Sequence, residues 1–307
     1  MSAVIEARAV NSDGFEQHRP VLLGLAYRML GSWWDAEDVL QETWLRWHDA
    51  DRAAIADPRG WLVTVTTRLA LDQLRSARRR RETYPGTWLP EPAPIGQQVA
   101  DPAETAQQRE TLSLAALRLL ERLTPPERAV YLLRETFELP YAEIAQTLGL
   151  TEANARQLHR RAADHVGEDR SRFAVDTVEH RALVERFLAA ASTGDRAALE
   201  DLLADEVVLW SDGGGKVRAA LNPVVGAPKV ARFITGITAK ASRVEWRVAE
   251  VNGGPAAIVL LGPGWQLLTW ESEGGHIVGL QLLSNPDKLR ALVPPRPAPA
   301  PTPWAQS

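Results

Sequence analysis

Between Tyr141 and Ala163 the chain reads YAEIAQTLGLTEANARQLHRRAA. The amides of Asn154 and Gln157 and the guanidiniums of Arg156, Arg160 and Arg161 fall on the outer face of a helix whose inner face would hold Ala155, Leu158 and Ala162. Amides and guanidiniums form paired hydrogen bonds with purine edges, so this face has the chemistry of base reading in a DNA major groove. The plainer alternative is the solvated face of an ordinary helical hairpin.

Two further groups of charges lie upstream. From Asp35 to Asp49 the acids are Asp35, Glu37, Asp38, Glu42 and Asp49 against Arg46, a net charge of −4. Of these, Asp35, Asp38 and Glu42, with Gln41, would share an outward face. From Arg59 to Arg81 the balance is +6, from Arg59, Arg68, Arg75, Arg78, Arg79, Arg80 and Arg81 against Asp72. Neighbouring helices of opposite sign point to two different partners. The arginine run suits phosphate contact without sequence preference. Trp61 is read either as a platform for an unpaired base or as core, and Trp33, Trp44 and Trp47 as core. Farther on, Asp212-Gly213-Gly214-Gly215-Lys216 reads as a glycine-built turn or bulge. Pro286, in Asn285-Pro286-Asp287-Lys288-Leu289, ends a strand.

The elements that would position these groups follow from periodicity. Phe15 to Arg81 is helical, with Pro58 after Asp57 at a helix start. Glu82 to Gln108 carries Pro85, Pro90, Pro92, Pro94 and Pro102 and reads as a linker. Helices resume near Glu110 and run to Gly167, with Thr124-Pro125-Pro126-Glu127 as a capping box. Gly149 supplies the turn before a helix capped by Thr151. Beyond Val178 come helices at His180–Ala191 and Ala197–Leu203. Strands follow at Val207–Ser211, Val244–Val251, Ala256–Leu261, Gln266–Glu271 and Ile277–Leu283. The division is residues 1–81, linker 82–108, 109–170, an α+β unit 171–293, and a Pro-rich tail 294–307.

Composition narrows the chemistry. The 307 residues include no cysteine, which excludes disulfides, thiolate zinc sites and a cysteine nucleophile and fits a reducing cytoplasm. With 45% hydrophobic residues the chain can bury a core. The longest apolar run, Ala256–Leu261, is too short to span a membrane. A net charge of −4 requires any nucleic-acid binding to be local. His180 and His276 stand alone, with no metal-ligand spacing, and no cofactor loop of the Walker type is present. No metal, cofactor or catalytic residue is expected.

Asp35-Ala36-Glu37-Asp38-Val39-Leu40-Gln41-Glu42-Thr43-Trp44 resembles region 2 of sigma-70-like transcription factors, and the stretch from Pro58 to Arg75 resembles the helix of that region. The helix-turn-helix resembles region 4. Order, spacing and the short linker resemble the extracytoplasmic-function (ECF) class over about Phe15–Gly167. That resemblance implies that Asp35, Asp38, Gln41 and Glu42 dock on the clamp helices of core RNA polymerase. It implies that Arg59, Trp61, Arg68, Arg75, Arg78, Arg79 and Arg80 meet the opened minus-ten element, with Ala54–Asp57 and Arg59 near a flipped base. Asn154, Arg156, Gln157, Arg160 and Arg161 would read the minus-thirty-five element.

The remainder resembles a subgroup with a C-terminal SnoaL-like (NTF2-like) cone, through Trp88-Leu89-Pro90, Asp212–Lys216 and Asn285–Leu289. It implies regulation in cis, with Trp88, Leu89, Pro90, Asp212, Lys216, Asn285, Pro286, Asp287 and Lys288 as interdomain contacts. The expected partners are core RNA polymerase and promoter DNA, with an unknown small ligand of the cone as a further candidate. Two alternatives remain open: a SnoaL-type enzyme, with Asp212 as a desolvated base, fused to a DNA-binding module; and a repressor with a ligand-sensing domain.

Overall fold

The computed structural model describes residues 14–94, 111–167, 177–241, 244–262 and 264–292. The chain folds as multidomain: two helical units, then an α+β unit. The Pro-rich tail and the linker stretch 95–110 lie outside the described residues.

The first unit comprises α1 (Arg19–Leu30), α2 (Trp33–Asp49) and α3 (Pro58–Glu82). Every residue of α1 from Val21 to Leu30 is buried. A helix covered all round must sit centrally, and α1 packs against α2, α3 and the second helical unit. Gly31, at φ 65°, ends it, and Ser32 caps α2 by accepting from the Asp35 amide. The inner stripe of α2 is Trp33, Ala36, Val39, Leu40, Thr43 and Trp47. Trp44 departs from the expectation of a core residue. It lies at the edge of that stripe, is 37% exposed and stacks on His48 instead. Pro58 opens α3 as expected, although the Asp57 side chain makes no capping bond.

The second unit holds α4 (Leu114–Leu120), α5 (Pro125–Glu135), α6 (Tyr141–Leu148) and α7 (Glu152–Gly167). The capping box at Thr124 is formed, its amide and hydroxyl both donating to Glu127, at 3.0 and 2.6 Å. Gly149 ends α6 at φ 68°, and the Asn154 amide donates to the Thr151 hydroxyl at 3.2 Å.

The third unit runs α8 (Thr177–Thr193), α9 (Arg196–Leu202), β1 (Leu203–Asp212), β2 (Val224–Val225), α10 (Ala227–Thr238), β3 (Val244–Val251), β4 (Gly254–Leu261), β5 (Gly264–Glu273) and β6 (His276–Leu283). The sheet order is β2-β1-β6-β5-β4-β3, with β1 and β6 parallel and the other pairings antiparallel. The sequence reading omitted β2 and α10. Yet Ala227, Val230, Ala231 and Ile234, all buried, have plain helical spacing.

The central strands are apolar on both faces because each face covers a different core. Ala257, Leu268, Trp270, Leu280 and Leu282 pack under α8, α9 and α10. Alternate residues Ala256, Ile258, Leu267 and Leu283 join the core of the two helical units, together with Leu289 and Leu292. The third unit is thus built onto the helical pair through the back of its sheet.

Candidate functional sites

On α7, Ala155, Leu158 and Ala162 are buried and Asn154, Arg156, Gln157, Arg160 and Arg161 are exposed. Arg156 pairs with Glu152 and lies 4.7 Å from the Tyr141 ring centroid. Arg161 is 3.6 Å from Glu127. His159 links α7 to its neighbours, bonding the Tyr141 hydroxyl at 3.1 Å through Nδ1 and Glu135 at 3.1 Å through Nε2.

On α2, Asp38 and Gln41 are exposed and Asp35 and Glu42 half-buried. Glu42 pairs with Arg46 at 3.1 Å. Beside them runs a groove of about 310 Å³, walled by Phe15, Arg19, Glu37, Asp38, Gln41 and Trp44. The acidic face is therefore presented as a surface.

The arginines of α3 divide. Arg59, Arg75 and Arg78 are exposed, and the side chains of Arg79 and Arg80 lie outside the described residues. Arg81 does not join them at the surface. It pairs with Glu121, donates to the Leu30 carbonyl at 2.7 Å and stacks 3.5 Å over Trp88; burial pushes its pKa down, opposed by Glu121. Trp61 is half-buried, 5.5 Å from the Trp47 ring, which matches its core reading. Ala54 ends a short 3₁₀ turn and is exposed. Arg68 crosses to α6, donating to the carbonyls of Thr147 at 2.8 Å and Gln146 at 3.3 Å.

The three strings Trp88–Pro90, Asp212–Lys216 and Asn285–Leu289 meet in one hub. Asp212, at the end of β1, is fully buried. Its Oδ1 accepts from the Tyr84 hydroxyl at 2.6 Å and the Gly214 amide at 2.9 Å. Its Oδ2 accepts from the Leu89 amide at 2.9 Å and Lys288 Nζ at 2.7 Å. Lys288 also donates to the Leu89 carbonyl at 2.5 Å and sits 4.0 Å over the Trp88 ring. Burial pushes its pKa down to about 8, against the pull of Asp212. Tyr84 is driven upward by burial and by its bond to Asp212, and Asn285 donates to the Tyr84 oxygen at 2.9 Å. Gly214 is required here: it holds φ 62°, and a Cβ on it would lie 2.3 Å from the Asn285 amide nitrogen. Leu89 and Pro90 are buried. Lys216 and Asp287 pair at 2.5 Å on the exposed rim, and Pro286 faces solvent.

Several junction residues escaped the sequence reading. Asn252, at φ 55° in the β3–β4 turn, donates to the Tyr27 hydroxyl oxygen at 2.8 Å and the Leu112 carbonyl at 2.7 Å. It accepts from the Ala93 amide at 3.0 Å. One amide thus joins both helical units and the linker. Asn252-Gly253 is legible as a hairpin turn, but nothing local shows what its side chain meets. Arg118 of α4 pairs with Glu271 of β5 at 2.8 and 3.1 Å and lies 3.6 Å over Trp210. Arg128 of α5 donates to Glu121 at 2.7 Å and to the Met29 carbonyl at 2.8 Å.

The geometry does not favour Asp212 as a catalytic base. Both its carboxylate oxygens are taken up, by Tyr84 and Leu89 of the linker and by Gly214 and Lys288 of its own unit. The cavity inside the cone measures about 40 Å³, and its lining, from Phe187 and Ile234 to Trp246 and Leu282, includes no ionisable residue. Ligand pockets usually run to several hundred Å³. Among the described residues, no cluster of three His, Cys, Asp or Glu is placed to hold a metal, and no helix is long and apolar enough to cross a membrane.

A helical pair with an acidic face, an arginine-bearing helix and a helix-turn-helix is the architecture of sigma-70-type transcription factors. Residues 15–80 match the family model for sigma-70 region 2, and residues 113–166 that for sigma-70 region 4. The chain is 40% identical to the ECF RNA polymerase sigma factor SigJ of Mycobacterium tuberculosis, over 89% of this chain and 91% of that protein. It is 32% identical to SigG of the same organism over 66% of this chain and 61% of that one. The crystal structure of M. tuberculosis SigJ superposes with a TM-score of 0.74 at 37% identity, covering 90% of this chain and 97% of that one. The chain belongs to the ECF sigma factors.

Proposed function

We propose that this ECF sigma factor binds core RNA polymerase through α2 and directs initiation at promoters read by α3 and α7. In the same reading its third unit acts in cis by holding the linker, without chemistry of its own, in the cytoplasm. The domain limits at about residues 81, 108, 170 and 293 belong to this reading. The observation that carries it is the hub: Oδ2 of Asp212 accepts from the Leu89 amide and the ammonium of Lys288 donates to the Leu89 carbonyl, gripping the linker between the two helical units. Regions that read two separated promoter elements must stand apart, so a third unit touching both and their linker biases a closed–open equilibrium. A few kcal/mol of differential contact suffices for that bias.

The test is run-off transcription with core polymerase on promoter fragments, beginning with the protein's own upstream region. Asp35→Lys with Asp38→Lys should abolish polymerase binding and transcription while leaving the fold intact, because surface substitutions cost little stability. Undiminished polymerase binding by that folded double variant would remove the assignment of α2. Trp88→Ala should change transcription on an unchanged promoter.

A further inference from the structure

The two edges of the sheet are unlike. At one edge β2 has only Val224 and Val225. At the other, β3 pairs with β4 along its whole length, Val244 to Val251, without a bulge. Among the described residues no strand lies beyond β3. Sheet edges are commonly blunted by shortness, lysine, proline or a bulge, because their outward amides and carbonyls are a template for another chain. The sequence of β3, VEWRVAEV, is long and regular and holds neither lysine nor proline. It does carry charges, and their order selects a partner.

The turn fixes which backbone groups point outward. Asn252 and Gly253, at φ 55° and 76°, form a two-residue turn, so Val251 and Gly254 are its closing hydrogen-bonded pair. Such pairs alternate along an antiparallel ladder, so Val244, Trp246, Val248 and Glu250 turn their amides and carbonyls away from β4. Side chains alternate as well. Val244 and Trp246 line the cone, whereas Glu245 and Arg247 stand on the opposite face, both exposed.

Val244-Glu245-Trp246-Arg247-Val248 reads the same backwards once its two charges are exchanged. A second copy laid antiparallel along this edge, about a twofold axis at Trp246, sets Glu245 of each copy opposite Arg247 of the other. These fall at non-hydrogen-bonded pairs, where side chains come closest, while the outward backbone groups of Val244, Trp246 and Val248 meet those of Val248, Trp246 and Val244. Moving the axis by one residue either way opposes Glu245 to Glu245 or Arg247 to Arg247. Charge therefore favours one register and disfavours its neighbours. Glu245 also has an interaction within its own chain, and its two carboxylate oxygens leave room for a second. We propose that β3 is a self-association edge: two copies of this chain pair through Val244–Val248 and join their sheets into one. The edge is separate from α2, α3, α7 and the Asp212 hub, so the inference does not rest on the function proposed for them.

The test is the mass of the full-length chain by sedimentation equilibrium, from about 1 to 200 µM. A strip this short predicts a dissociation constant on the order of 10 µM. Arg247→Glu and Glu245→Arg should each raise that constant at least about tenfold, because each opposes like charges, with thermal unfolding nearly unchanged at these exposed positions. Mixing the two single variants should restore the dimer, because each then supplies the charge that the other lacks. Both changes in one chain should restore it as well. Val248→Pro removes an outward amide and should prevent pairing while leaving the β3–β4 ladder intact. A full-length chain that stays monomeric at the highest concentration overturns the proposal, also where deletion of residues 294–307 lets it dimerise, since the tail then holds the edge. A dimer that neither single variant weakens overturns it too, as does a mixture of the two variants that stays monomeric.

Discussion

The outer face of α7 and the hub around Asp212 use the same kinds of residue for opposite ends. On α7, Asn154, Gln157 and Arg160 extend into solvent, so their hydrogen-bonding capacity is open to an outside partner. In the hub, Asp212 and Lys288 are sealed under the linker, with side chains 0% and 11% exposed, and their capacity is spent on their own chain. Polar residues in a motif announce interaction, but burial decides whether the partner is another molecule or another part of the same one. A solvated donor loses little when removed from the free protein, whereas a buried charge deprived of its counter-charge destabilises the fold.

The sharpest test of that contrast removes one member of the buried pair. Lys288→Met should strand the Asp212 carboxylate and destabilise the closed arrangement by about 3–5 kcal/mol. The measurements are denaturant unfolding and fluorescence transfer between dyes at the exposed positions Glu82 and Lys240. Adding Asp212→Asn should recover part of the loss. A single variant as stable as the unsubstituted chain would break the comparison.

On the open side, Gln157→Ala or Arg160→Ala should leave the melting temperature unchanged. Each should cost about 1–3 kcal/mol at particular upstream base pairs. Arg78→Ala should instead weaken binding to all sequences and flatten its salt dependence by about one unit of slope. If Arg78→Ala shifted base preference, the two surfaces would be exchanged.

The smallest expected effect is that of pH. The Lys288 ammonium falls from 10.5 to about 8 in the closed chain because burial disfavours its charge. A chain opened at the hub, with Lys288 back in water, therefore binds more protons across that interval. Stability of the closed form accordingly rises as pH rises from 8, by at most about 1.4 kcal/mol per pH unit, until the raised pKa of Tyr84 acts in the opposite sense near pH 10. Fluorescence transfer should report closing as pH is raised from 8 to 9, and Lys288→Met should flatten the response. Opening over the same interval would reverse the sign and reject burial as the dominant influence on Lys288.

What could be read without coordinates was local. The capping box at Thr124, the turn at Gly149 and the buried stripe Ala155, Leu158 and Ala162 depend on neighbours within a few residues, and all formed as their spacing requires. The apolar run Ala256–Leu261 was legible as a strand; that both faces of β4 are covered, Ile258 by the helical units and Ala257 by α8–α10, was not. The motif residues of the hub were recognised, yet their pairing was not, because Asp212 meets Leu89 across 123 positions and Lys288 across 76. Arg68, Arg81, Arg118 and Asn252 show the same division. Sequence determined that each carries donors on a helix or turn. Only the packing of three units decided that Arg68 faces α6, that Arg81 lies over Trp88, that Arg118 meets Glu271 and that Asn252 reaches Tyr27, because a donor's partner is set by which distant groups the hydrophobic cores bring into contact.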